Sequence, residues 1–148
     1  MSARAGACAR GALLLVVLSV ALGACAVQPR GDRLYHELGG GPGIERLVDA
    51  FLLRLAADER VVDSFADTDI EAFRQRLIEQ FCELSGGPCE YGGRSMLEAH
   101  HGLGIDDAQF NALVEDLILA LADVDAPWGA RNRLLGLLAP MHRDIVKR

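Results

Sequence analysis

Between Asp106 and Asp123, apolar side chains return every three or four positions: Phe110, Leu113, Val114, Leu117, Ile118 and Leu121. That period places them on one stripe of an α-helix and excludes a strand, whose apolar positions would alternate. Asp106, followed three residues later by Gln109, supplies the start signal of a capping box. The same period recurs three times. Leu47, Val48, Phe51, Leu52 and Leu55 mark a helix starting near Ile44 and ending around Asp58. Ile70, Phe73, Leu77, Phe81 and Leu84 mark one over 70–84, stopped by Ser85-Gly86-Gly87-Pro88. Leu134, Leu135, Leu138, Met141 and Ile145 mark the last, which opens at Pro127 and which Pro140 kinks or ends. The short "RLYHEL" can add a turn or two before "GGGPG" stops it, and "VVDSFADTD" carries Phe65 into the core. With no segment alternating as a strand, the fold class is all-α.

The first thirty residues belong to a different category. Arg4 and Arg10 precede an apolar run, 11–22, that is too short to span a bilayer comfortably and ends at Leu22-Gly23-Ala24-Cys25. A basic start, a short apolar core and small residues at the exit describe a secretory signal. Cys25 directly after "LGA" resembles the lipobox of bacterial lipoproteins, in which that cysteine is acylated and the signal is cut before it. An ordinary signal peptide cleaved near Ala24 or Ala26 is the competing reading. The expected organisation is a signal over 1–24, a tether over 25–33 and one domain over 34–148. The product is then exported and membrane-anchored through a lipid on Cys25, facing the periplasm or the cell exterior. Loss of Arg4 and Arg10 lowers the basic count from 15 to 13 against 21 acids, so the net charge moves from -6 to -8. An acidic body argues against nucleic acid and against a polybasic hold on lipid.

With Cys8 in the signal and Cys25 at the lipid site, Cys82 and Cys89 remain. In an exported chain they read as a disulfide closing a short turn. The alternative is a metal set of Cys82, Cys89, His100 and His101, but its spacing matches no zinc-finger pattern.

Residues 86–104 break the helical rhythm with six glycines, one proline and the adjacent His100 and His101. Such a loop, with one helical turn around Met96 to His100, fills space poorly but can hold a side chain inward. Together with the face of Phe73, Leu77 and Phe81, it offers what a flat apolar cofactor with a central metal needs: aromatic walls and one imidazole. Plain core packing and solvent-facing histidines account for the same residues.

Four stretches taken in order, "LYHELGGGPGIERLVDAF", "FADTD", "CELSGGPCEYGGRSMLEAHHGLGI" and "LLAPMHRDIV", resemble the group I truncated haemoglobins, over about 34–146. The resemblance implies a two-over-two helical globin that holds a b-type haem and binds diatomic gases (O2, CO, NO). It assigns the proximal, metal-binding role to His100 and the wedge against the haem to Phe65. His101 would turn about 100° away on a helical turn. Phe73, Leu77 and Phe81 become haem contacts from the long helix, and Tyr91 and Met96 contacts from the loop. With no Cys-x-x-Cys-His, attachment would be non-covalent. Oxygen-handling members carry a distal tyrosine, often backed by glutamines; here those positions are Leu52, Phe73 and Leu77, all apolar. The implied pocket is dry, with Gln80 the nearest polar side chain. Nitric oxide dioxygenation, known in some relatives, is weakened by the missing donors and would need an electron donor. A monomer is expected. Two further readings stay open: a haem-based redox or sensor partner, and a haem-free helical lipoprotein that acts as an interaction module.

Overall fold

A computed structural model describes residues 31–147. The signal segment, the lipobox with Cys25 and most of the tether lie outside the described residues. Within them every regular element is helical: α1 (Arg33–Glu37), α2 (Gly40–Ala57), a 3-10 turn (Val62–Phe65), α3 (Ile70–Leu84), α4 (Met96–His100), α5 (Asp107–Asp123), α6 (Trp128–Leu138), a second 3-10 turn (Ala139–Met141) and α7 (His142–Ile145). None is long and apolar enough to cross a membrane.

α2 is the hub. It packs on α5 and α3, α3 reaches α6, and α1 closes over α2 and α6, giving two helices laid over two. Ile44, Leu47, Val48 and Phe51 of α2 meet Leu77 and Phe81 of α3, Leu117 and Leu121 of α5, and Leu134 of α6. Ala120 and Ala130, fully enclosed, let the helices approach closely. Each large apolar side chain buried this way contributes roughly 1.5–3 kcal/mol.

The boundaries of α3 and α4 fall where the apolar period and the glycines place them, and the Asp106–Gln109 capping box forms. Pro140 ends α6 and a 3-10 turn separates it from α7. α2 departs from expectation by starting at Gly40 rather than near Ile44. Pro42 falls in its first turn, where a missing N–H costs nothing. A Cβ on Gly43 would collide with the Leu38 carbonyl, so only glycine lets the chain double back from α1 this tightly.

Two side chains assigned inward lie outward. Ile70 is 49 % exposed because the first turn of α3 projects past the packing surface. Ile118 is 44 % exposed, since the buried face of α5 is centred on Ala112, Leu117, Ala120 and Leu121. Trp128, at the start of α6, is 75 % exposed.

Candidate functional site

α4 is only five residues long and is made possible by its cap. The Ser95 hydroxyl accepts from the Glu98 N–H while the Glu98 carboxylate accepts from the Ser95 N–H, at 3.3 and 3.1 Å. The carboxyl of Glu98 is held below its ordinary value first by the Ser95 hydroxyl, which also donates to it at 2.7 Å, and then by the Ser95 N–H. His100 closes the helix, half-buried, with Nδ1 2.7 Å from the Met96 carbonyl oxygen. A carbonyl can only accept, so Nδ1 carries the hydrogen and the neutral ring keeps its lone pair on Nε2. This is the donor state that a metal-binding histidine requires. His101 caps α4 in an extended conformation (φ -59, ψ 126) and is exposed.

Across the fold, α2, the first 3-10 turn and α3 enclose a cavity of about 210 Å³ lined by Leu52, Leu55, Val62, Phe65, Ile70 and Phe73, among others. The Phe65 and Phe73 rings lie 5.3 Å apart, tilted by 32°. The structure therefore brings Leu52, Phe65 and Phe73 together. Leu77, one turn further along α3, is buried, while Phe81 is closed into the core at 2 % exposure and does not line the cavity. Tyr91 is half-buried in its own loop, where its hydroxyl donates to the Arg94 carbonyl at 2.9 Å; burial pushes its phenol upward. A second cavity, about 270 Å³, is lined by α1, the end of α3 and α6, and contains none of the candidate site residues.

Met96 and Gln80 form a contact that sequence reading did not anticipate. The Gln80 amide nitrogen lies 3.6 Å from the Met96 sulfur and 3.8 Å from the Met141 sulfur. Gln80 is therefore turned toward α4 and the second 3-10 turn. The loop between α3 and α4 is held by Glu79, which accepts from the Gly92 N–H at 3.4 Å and pairs with Arg76. Cys82 and Cys89 are bonded to each other at that loop's beginning, with Cα atoms 5.8 Å apart. No cluster of three histidine, cysteine or acidic side chains able to hold a metal ion occurs among the described residues.

A further polar group lies midway along α5. Asp116 is 5 % exposed with Oδ2 unpartnered, and burial first, then the charge of Asp58, push its carboxyl upward. Asp58 is held down by Arg60, which also reaches Glu115 at 2.7 Å. At the start of α5 His142 binds Asp107 at 3.0 Å and stands edge-on to Phe110, joining α7 to α5. Apart from Asp58 with Arg60, these pairs span long sequence separations, and no local pattern announces them.

Residues 33–147 match the family model described as bacterial-like globin. A group 1 truncated haemoglobin of Synechocystis sp. is 35 % identical over 119 residues, covering 76 % of this chain and 96 % of that protein. One from Mycolicibacterium paratuberculosis is 30 % identical over 113 residues, 76 % of this chain and 83 % of the relative. The solved Fe(III) form of truncated haemoglobin from Tetrahymena pyriformis superposes with a TM-score of 0.74 at 28 % identity, over 78 % of this chain and 98 % of that one.

Proposed function

Because the chain belongs to the bacterial-like globins, within group 1 of the truncated haemoglobins, we propose that it is a haem-binding globin in which His100 is the metal ligand. The observation that carries this is the 2.7 Å contact from His100 Nδ1 to the Met96 carbonyl, which leaves Nε2 as the ring's open electron pair. Haem supplies the iron that binds a diatomic gas and exchanges an electron. The residues in place fit it: Phe65 and Phe73 offer flat aromatic surface, and Leu52 and Leu55 offer apolar contact. The cavity of about 210 Å³ is smaller than the roughly 300–1,000 Å³ of ordinary cofactor sites. The lack of a Cys-x-x-Cys-His sequence supports a non-covalent, b-type haem.

The side chains at the positions where oxygen-handling relatives carry polar donors set the ligand preference. Leu52, Phe73 and Leu77 have neither N–H nor O–H to offer, and Gln80 is engaged with Met96 and Met141. A gas that gathers negative charge on binding is then held without a donor, which forfeits roughly 1.5–3 kcal/mol, a ten- to hundred-fold change in affinity. Carbon monoxide and nitric oxide are favoured over oxygen. Export through the amino-terminal signal, acylation at Cys25 and a Cys82–Cys89 bridge formed in an oxidising compartment complete the reading.

Titration of the purified chain with hemin tests it, with ferric, ferrous and carbonyl spectra recorded. One haem per chain is expected; a chain that stays colourless overturns the proposal. Leu52→Tyr restores a donor and is expected to slow oxygen dissociation about ten- to a hundred-fold.

A further inference from the structure

α4 has no buried residue, and its principal neighbour in the fold is α7. What reaches Met96 from α3 is the amide of Gln80, itself only 9 % exposed. The placement is costly. An amide taken out of water loses more than a thioether, a weak acceptor, returns to it. A leucine would fill nearly the same space with no such loss, so apolar packing does not explain a glutamine here.

The contacts form a chain. Gln80 Nε2 holds the Met96 sulfur, and the Met96 backbone carbonyl accepts the hydrogen of His100 Nδ1. Met141, the other sulfur on the same amide, sits in the turn that leads into α7, the helix against which α4 rests. One buried amide thus joins α3, α4 and the start of α7 at the residue that fixes the histidine's orientation. We propose that Gln80 is a positioning residue for His100, acting through Met96 to set the ring's orientation and the electron density on Nε2. This rests on the haem reading above, and it assigns Gln80 to the His100 side of the cofactor rather than to the bound gas.

The test uses the haem-loaded full chain with Gln80→Leu, Met96→Leu and the double variant. Resonance Raman of the ferrous, ligand-free form reads the iron–histidine stretch, and transfer of hemin to an acceptor apoprotein reads its loss. Gln80→Leu is expected to retain haem, shift the iron–histidine band and speed hemin loss roughly three- to tenfold. Met96→Leu alone is expected to shift the same band, which keeps the test decisive if Gln80→Leu does not fold. In the Met96→Leu background, Gln80→Leu should add nothing. An unmoved band with altered oxygen or carbonyl kinetics would place Gln80 at the ligand and overturn the proposal. An unmoved band with unchanged hemin loss would leave it a packing residue. Either result spares the haem reading, whereas a wild-type chain that takes up no hemin ends both.

Discussion

α2 and α4 are both helices with one job each, and they are built oppositely. α2 runs eighteen residues and buries six of them; α4 runs five and buries none. The first is held by apolar area, the second by a capping box, a disulfide upstream and one amide. The packed core and the candidate ligand His100 thus lie in separate parts of the chain. The dense part defines the cavity wall with Leu52 and Phe73, and the sparse part presents the imidazole. A segment without its own core is free to complete one around a cofactor, which a segment like α2 could not do.

The largest effect that would break this division is at His100. His100→Ala should abolish the haem absorption band while His101→Ala keeps it; a reversal of the two would move the ligand to the neighbouring residue. Next comes the core. Phe81→Ala should cost about 3–5 kcal/mol in urea unfolding, against about 0.5 kcal/mol or less for Leu97→Ala, which sits 47 % exposed on α4. Comparable losses at the two sites would show that α4 is part of the core after all. Cys89→Ser should lower stability by about 2–3 kcal/mol, with hydrogen exchange rising in residues 90–100 before it rises in α2.

The smallest effect is in pH. Asp116 binds its proton more tightly folded than unfolded, so the folded chain holds more protons between the ordinary carboxylate range and the raised value. Stability therefore falls as pH rises through that interval, and Asp116→Asn should remove the fall. Asp49 beside Arg74 works in the opposite sense: its lowered carboxyl contributes above the ordinary range and loses that contribution as acid is added. Urea midpoints at several pH values separate the two.

The dense region was the more legible in sequence. The limits of α3 and the cap of α5 follow from spacing and from one pair of side chains three apart, both local signals. The start of α2 was not legible, because a Gly-Gly-Pro-Gly run reads as a stop; only the contact of Gly43 with Leu38, a matter of tertiary packing, shows why it continues. His100 could be singled out, and Ser95 with Glu98 carried an unread capping signal. The orientation of Gln80 depended on Met96 and Met141, sixteen and sixty-one residues away. The Asp116 cluster was illegible for the same reason.

The turn that ends α3 holds one more lesson. The Gly31 carbonyl is pressed so closely on Gly86 that a Cβ there would collide with it, and the Tyr35 N–H donates to the Ser85 carbonyl at 3.0 Å. Force applied to the polypeptide from its amino-terminal side is thereby delivered to the stiff end of α3, beside the Cys82–Cys89 bond. α4, which carries His100, is a separate element that follows the disulfide-closed turn and lies off that line of load.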